Sequence, residues 1–333
     1  MAACTTELEP PLEVQELTAP VVGGATVSAC GWPSTVRVNG ASSCTGTLIH
    51  PRVVTTAAHC LSGPSATIQF GPPRDPAGFS LTGMCKAGAQ GQRGVNTGND
   101  WGYCVLPDDE RVRKMSVTPP LVGCEASRFL VSGAHGWIVG YGSTGSSSGG
   151  AGVKREVEVV VNALDKRAKG TIDVGDAKKG ACHGDSGGPI YMQLMDGAND
   201  WGFRVFGSTS GPGMSACDCN CSTTYVNIAQ HVKQIEQNEG IDVTPCTDAD
   251  GNFEAGPGCT ALPANPRMAT GTFPNCSLTT TTVPIESCRP GSPGGQAGAA
   301  ASGSAGAAAA GRGGVGGAIS AGAGGAGLAG RGA

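Results

Sequence analysis

Ser186 lies in a segment suited to nucleophilic chemistry, because glycines surround it and an aspartate precedes it: Ala181-Cys-His-Gly-Asp-Ser-Gly-Gly-Pro189. Glycine-rich backbone can turn tightly around a serine and aim its N–H groups at an oxyanion. A serine hydroxyl is nevertheless a poor nucleophile until a base removes its proton, and that base needs an acid partner to orient it. The segment therefore predicts a histidine and a carboxylate elsewhere in the chain.

A histidine and an aspartate in suitable surroundings precede this segment. Thr55-Thr-Ala-Ala-His59-Cys60 supplies the histidine, and Asn99-Asp100 supplies the carboxylate. Ser186 would attack a carbonyl carbon, His59 would take its proton, and Asp100 would fix the tautomer of the imidazole. Alone, such a histidine or aspartate is more often structural, so the catalytic prediction depends on the combination.

The order of these three residues resembles that of the trypsin/chymotrypsin-like serine endopeptidases. Other motifs resemble the family in the expected order: Val21-Val-Gly-Gly24, Cys44-Thr-Gly-Thr-Leu-Ile49, and Gly140-Tyr-Gly142 in place of Gly-Trp-Gly. The resemblance covers about residues 21–238. It implies a serine endopeptidase that acts on protein or peptide substrates through an acyl-enzyme, with no cofactor and no metal.

The resemblance also assigns roles to residues near the nucleophile. The backbone N–H groups of Gly184 and Ser186 would form the oxyanion hole, and the hydroxyl of Ser210 would support Asp100. The other histidines lack such a context. Among them, His183 would flank the mouth of the specificity pocket.

Activation in the family depends on a cut before the segment that here begins at Val21. The freed amine would pair with Asp185 and order the oxyanion hole. Pro20, rather than Arg or Lys, precedes Val21, so activation by a trypsin-like enzyme does not fit. Three alternatives stay open: another activating protease cuts after Pro20, the chain is trimmed from upstream, or the domain is active uncut.

The specificity pocket departs from the trypsin pattern in two ways. Gly180, six residues before the nucleophile, occupies the position of the pocket floor and carries no acidic group, so Arg or Lys specificity is not expected. The wall would consist of Ser210, Gly211 and Pro212, of which the proline lacks an N–H. Thr223 would make the pocket shallower. We expect small to medium apolar residues before the scissile bond.

Short apolar runs separated by Gly, Pro and Ser fill residues 21–224 and are typical of an all-β domain. A one-face apolar spacing over Ile228–Asn238 predicts a C-terminal helix. With the resemblance, the predicted fold is two six-stranded antiparallel β-barrels and a C-terminal helix, followed by a Cys-rich extension and a disordered Gly/Ala tail.

Composition divides the chain into four parts. Residues 1–20, which are acidic and Pro-rich from residue 5 onward, are interpreted as a propeptide or anchor linker. Residues 21–240 are interpreted as the protease domain and 241–288 as a Cys-rich extension or small module. Residues 289–333 are interpreted as a disordered Gly/Ala-rich tail. The 333-residue chain has a net charge of −4, which argues against nucleic-acid binding. Asp248–Glu254 matches a calcium loop only in part, and a polar turn is the favoured interpretation.

Fifteen cysteines without zinc-type Cys-x-x-Cys pairs indicate disulfides and an oxidising compartment, extracellular or in the cell envelope. No signal peptide precedes them. Ala2-Ala3-Cys4 resembles the end of a bacterial lipoprotein signal, and a lipid on Cys4 would be the only link to a membrane. The alternatives are a propeptide tether from Cys4 to Cys124 and a free thiol.

The family resemblance implies some disulfide pairs and leaves others open. Cys44 and Cys60 would hold the histidine loop, and Cys182 would pair with Cys217, Cys219 or Cys221. Cys85 and Cys104 flank Asp100 and are candidates for a pair, whereas partners for Cys30 and Cys124 are undetermined. Four further cysteines allow three pairings among themselves: Cys246, Cys259, Cys276 and Cys288.

Two other functions compete with catalysis. A non-catalytic relative could use the same fold for binding or regulation, which the Pro20 junction and the altered pocket would favour. Alternatively, the Cys-rich segment could carry an adhesion function and leave proteolysis accessory.

Overall fold

The structure is a computed structural model that describes residues 21–72, 75–88, 94–145, 149–197, 199–212, 219, 221–248, 252, 254, 259 and 262–281. The predictions for residues 1–20 and 289–333 lie outside these residues. The strands up to residue 227 are β1 (Ala25–Thr26), β2 (Thr35–Asn39), β3 (Ser43–His50), β4 (Val53–Thr56), β5 (Ser65–Phe70), β6 (Phe79–Ala87), β7 (Gly102–Val105), β8 (His135–Gly140), β9 (Arg155–Leu164), β10 (Thr171–Val174), β11 (Pro189–Asp196), β12 (Asn199–Pro212) and β13 (Thr223–Asn227).

The first barrel closes in the order β2-β3-β4-β7-β6-β5, with antiparallel neighbours throughout. Alternation along the strands fills it, because successive side chains point to opposite faces. In β5, for example, Ala66, Ile68 and Phe70 are buried and join the core with Val38 and Leu48.

The second barrel is formed by β9-β10-β13-β12-β11-β8, and it closes because β8 also pairs with β9. In β9, Val157, Val159 and Val161 are buried and alternate with exposed positions such as Glu158. The prediction of two six-stranded antiparallel barrels is confirmed.

Within the described residues, three short α-helices accompany the barrels: α1 (Glu110–Arg113), α2 (Gly123–Phe129) and α3 (Val232–Glu239). The predicted C-terminal helix is α3, but it begins four residues later than expected. Residues 228–230 form a 3₁₀ turn instead, because the side chain of Asn227 accepts the N–H of Ala229. Gly240, with φ +62°, ends the helix in a left-handed conformation that favours glycine.

Residues after α3 pack onto both barrels. They include β14 (Leu262–Pro263), β15 (Thr270–Thr272), β16 (Asn275–Ser277) and β17 (Thr280–Thr281). The side chain of Phe273 is 4% exposed and belongs to the core of the first barrel, where it meets the backbone of Gly71 and the ring of Phe79. On the second barrel, Gly202 leaves no room for a side chain beneath the carbonyl of Pro263.

Polar contacts and a disulfide fix the same segment. Pro266 accepts the N–H of Trp32 through its carbonyl at 2.8 Å, and Arg267 makes a bidentate ion pair with Glu156. Cys276 is bonded to Cys30 across 246 residues. That pair is not among the three internal pairings that the sequence suggested.

Other disulfides between described cysteines are Cys44–Cys60, Cys85–Cys104, Cys182–Cys219 and Cys246–Cys259. Cys124 and Cys221 are also disulfide-bonded. In the described residues, no helix is both long and apolar enough to cross a membrane.

Candidate active site

The histidine and aspartate predicted from the sequence are in direct contact. His59 lies on a 3₁₀ turn (Ala58–Cys60) after β4, and Asp100 lies just before β7. The backbone N–H of His59 donates to Oδ1 of Asp100 at 3.0 Å, and Nδ1 lies 2.8 Å from Oδ2. Because a carboxylate only accepts, Nδ1 carries the proton and Nε2 is left as a base. The imidazole is 24% exposed, whereas the carboxylate is fully buried.

Asp100 receives a third hydrogen bond from β12. The hydroxyl of Ser210 donates to Oδ2 at 2.6 Å and itself accepts the N–H of Asn96 at 2.8 Å. The carboxylate is thus held by three donors, which compensates for its burial. Ser210 was identified from the sequence, but Asn96 was not, since nothing in its local sequence marks it.

The loop that carries Ser186 is anchored to the first barrel. Thr45 donates its N–H to the carbonyl of Ser186 at 2.9 Å and its hydroxyl to the carbonyl of Gly184 at 2.8 Å. The carbonyl of Ser186 also lies 3.6 Å from the sulfur of Cys60, the residue after the histidine. The Ser186 hydroxyl makes no hydrogen bond to the imidazole in the described structure. In free enzymes this bond is often long and tightens when substrate binds.

Two N–H groups beside the nucleophile are available. The N–H groups of Gly184 and Ser186 make no hydrogen bond to other described residues. The carbonyl of His183 accepts the N–H of Ser143 at 2.7 Å, and in a trans peptide the next N–H points the opposite way. Gly184 adopts φ +95°, which favours glycine. This arrangement can bind an oxyanion.

Asp185 points away from the nucleophile into the second barrel. Its carboxylate is buried and accepts the N–H groups of Gly142 and Cys182 at 2.8 and 2.9 Å. Side chains at Gly140 or Gly142 would collide with it, which explains both glycines of the Gly-Tyr-Gly motif. Burial raises the pKa of Asp185 to about 6.

Val21 is buried in the core of the second barrel, and Val22 forms a bridge with Gly180. Val21 has φ +45°, a left-handed conformation that a β-branched residue rarely adopts. Pro20 lies outside the described residues.

A small pocket of about 70 Å³ lies next to Ser186. Its lining includes three of the residues that the sequence predicted for the specificity pocket, namely Gly211, Pro212 and Thr223. The Cys182–Cys219 disulfide forms another wall. The other two predicted pocket residues, Gly180 and Ser210, do not line it. Gly180 lies behind Thr223, whose hydroxyl accepts the N–H of Ala181 at 2.9 Å, and Ser210 faces Asp100.

One group of side chains has the atoms of a metal site, since Cys44, His59 and Cys60 place ligand-type atoms within 4.8 Å of one another. The two sulfurs are bonded to each other and Nδ1 of His59 faces Asp100, so the disulfide and the His–Asp pair account for this group.

Comparison with known proteins gives a consistent family. The family model Trypsin matches residues 21–235. The chain is 28% identical over 239 residues to Trypsin beta of Drosophila erecta, covering 64% of this chain and 90% of the relative. It is 26% identical over 211 residues to Trypsin delta of Drosophila melanogaster, covering 56% and 80%. Trypsin alpha-4 of Lucilia cuprina is 25% identical over 211 residues, covering 57% and 80%.

Proposed function

The chain belongs to the trypsin family of serine proteases, and from this premise we propose that it is an active serine endopeptidase. Ser186 attacks the scissile carbonyl, His59 accepts its proton and returns it to the leaving amine, and Asp100 stabilises the transient imidazolium. The N–H groups of Gly184 and Ser186 bind the oxyanion, and such a donor contributes about 10²–10³ in rate. The observation that carries the proposal is the buried, three-donor Asp100 paired with His59 beside two available N–H groups.

A fluorophosphonate probe tests this function directly, because it reacts only with an activated serine. We expect labelling of Ser186 in the wild type and none in Ser186→Ala or His59→Ala. His135→Ala is the matched control, since this exposed histidine pairs with Glu158 away from the site. No adduct on Ser186, with or without a free Val21 amine, would instead support the non-catalytic alternative.

The proposed specificity is for small side chains before the scissile bond. A cavity of about 70 Å³ narrowed by Thr223 has no described acidic lining residue, so neither a large aromatic ring nor a guanidinium is accommodated. Substrates that differ only at this position should rank Ala and Val above Phe and Arg. Thr223→Gly should narrow the difference between Val and Phe, because a deeper pocket loses its steric selection.

We also propose that a free amine at Val21 increases activity. In the uncut chain Asp185 is buried and Val21 is held at φ +45°, which costs roughly 1–3 kcal/mol. A cut before Val21 releases the backbone constraint and supplies an ammonium group for the carboxylate. Replacing residues 17–20 with a recognition sequence for a specific protease, and comparing peptide cleavage before and after digestion, tests this.

The raised pKa of Asp185, about 6, makes the folding stability of the uncut chain depend on pH. A carboxyl group whose pKa is raised on folding stabilises the fold below its unfolded value of about 4, and this contribution is lost as pH rises through 6. The uncut chain should therefore lose on the order of 3 kcal/mol across this window. A chain cut at Val21 should show little of this loss.

The disulfides fit an oxidising compartment, and we propose that the protein acts outside the cytosol on proteins or peptides. A lipid on Cys4 remains part of this proposal, and Cys4 lies outside the described residues. Intact mass measurement of protein from its native source distinguishes a lipidated Cys4 from a chain that begins at Val21.

A further inference from the structure

A second cavity opens on the other side of the nucleophile loop. This leaving-side groove has a volume of about 400 Å³, and its walls include Arg37, Ser43, Tyr141, Ser143, Gly152 and Gly184. His183 borders both this groove and the small pocket, which otherwise lie against different elements. The small pocket is built on β12 and β13, whereas the groove is built on β2, β3 and the segment after β8.

The position of the groove assigns it to one half of a substrate. If the side chain before the scissile bond enters the small pocket, the chain after the bond must depart past the opposite face of Ser186. Ser43 precedes Cys44, and the Cys44–Cys60 disulfide ties this wall to the histidine turn. The histidine returns a proton to the leaving amine, so the groove receives the residues that follow the scissile bond.

Arg37 gives the groove a positive charge that its other described lining residues do not balance. Arg37 is half-buried, and its Nη2 lies 3.4 Å from the hydroxyl of Ser43. Its Nε is buried and has no hydrogen-bond partner among the described residues. No carboxylate is among the described residues that line the groove. The sequence of residues 141–153 contains no charged residue either. A half-exposed guanidinium in a groove whose described lining holds no carboxylate favours a ligand that accepts hydrogen bonds and carries negative charge.

A larger cavity of about 810 Å³ adjoins the groove and shares Arg37, Ala151 and Gly152 with its lining. The larger cavity therefore gives room for further residues of an extended chain. Its wall includes Asp75, which disfavours a second negative charge there. The ammonium of Lys154 is already engaged by the carbonyls of Gly31 and Trp32. A carboxylate is thus best accommodated close to the scissile bond.

We propose that Arg37 binds a carboxylate among the first three residues after the scissile bond, and so selects substrates with Asp, Glu or a free C-terminus at that point. This inference rests on the proposed peptidase activity. It names a determinant on the leaving side, separate from the small pocket.

The test uses quenched fluorescent peptides with a constant Ala before the scissile bond. Gln, Glu and Lys are placed in turn at each of the three following positions. A further pair of peptides ends at the second residue after the scissile bond, one with a free C-terminal carboxylate and one with a C-terminal amide. For the wild type we expect kcat/KM to be about fivefold higher for Glu than for Gln at one of the positions, since a single partly exposed ion pair is of this strength. The preference should shrink in 1 M salt, where the screening length is about 3 Å.

Variants of Arg37 separate its charge from its packing. Arg37→Gln should bring the ratio of kcat/KM for the Glu peptide to that for the Gln peptide down to about one, and Arg37→Glu should favour the Lys peptide. Arg113→Gln is the matched control, because this exposed arginine pairs with Asp108 and should keep the preference.

The outcomes distinguish the two proposals. If the Gln and amide peptides are cleaved but carboxylate peptides show no advantage at any position, the inference about Arg37 is wrong and the peptidase proposal stands. A preference for a carboxylate that persists in Arg37→Gln overturns it as well. If no peptide is cleaved, including the neutral ones, the peptidase proposal fails and the inference fails with it.

Discussion

Phe273 provides a quantitative test of whether the residues after α3 form part of the protease. Its ring is 4% exposed and lies within the core of the first barrel, although it is far beyond the family match that ends at residue 235. Truncating a buried phenylalanine to alanine costs about 3–5 kcal/mol, because transfer free energy is lost and a cavity remains. Domains of this kind are stable by only about 5–15 kcal/mol, so Phe273→Ala should remove a large part of the total.

The measurement is urea unfolding with the disulfides intact, followed by tryptophan fluorescence. All four tryptophans lie between residues 32 and 201, so the signal reports the barrels and not the extension. In a separate thermal unfolding experiment, the midpoint temperature of Phe273→Ala should fall by roughly 10 °C, since about 2–4 °C correspond to 1 kcal/mol in a domain of this size. Phe273→Leu should cost less, about 1.5 kcal/mol or below.

Met268 is the matched control. It lies in the same extension but is 72% exposed, so Met268→Ala should change stability by no more than about 0.5 kcal/mol. The reasoning would be refuted if Phe273→Ala and Met268→Ala had the same urea midpoint. That result would mean that the extension is an independent module whose core does not include the first barrel.

Three further predictions concern buried charged and titratable groups. Asp100→Asn should lower kcat by about 10⁴ without unfolding the protein, because the imidazole would adopt the wrong tautomer; a loss below tenfold in peptide cleavage would contradict the proposed role. Glu125→Gln should destabilise the fold by about 3–5 kcal/mol, since it leaves the buried Arg204 without its carboxylate, whereas Glu110→Gln in an exposed pair should cost under about 1 kcal/mol in the same urea titration. Burial lowers the pKa of His231 to about 4. The contribution of the neutral imidazole to stability is therefore complete above its unfolded pKa of about 6.5 and is lost as pH falls through 4. His231→Phe should lose less stability than the wild type between pH 6.5 and 4, and equal losses in the two proteins would argue against this.

The parts of the site that were predicted from the sequence share a simple property. His59, Asp100 and Ser186 each occur beside a short motif, and their order along the chain is informative even when the fold is unknown. The barrels could be predicted for a similar reason, since alternating burial in strands such as β9 is written directly in the sequence.

The parts that were missed depend on contacts between distant residues. The N–H of Asn96 reaches Ser210 across 114 residues, and Cys30 reaches Cys276 across 246. Neither residue has a local pattern that identifies its partner. The size of the pocket was also beyond the sequence, because it depends on how Thr223 and the Cys182–Cys219 disulfide approach each other.

Arg37 shows how such contacts change the interpretation of a residue. In the sequence it is one charged residue in an alternating strand, and a surface position facing water would be its ordinary role. The barrel places its guanidinium in a groove that is also lined by Ser43 of β3 and by the uncharged segment after β8. Arg37 is half-buried and the described lining of its groove holds no carboxylate, so a ligand that supplies negative charge would stabilise the guanidinium. A substrate carboxylate is the simplest source of that charge, since Gly184, whose N–H is proposed to bind the scissile carbonyl, also lines the groove.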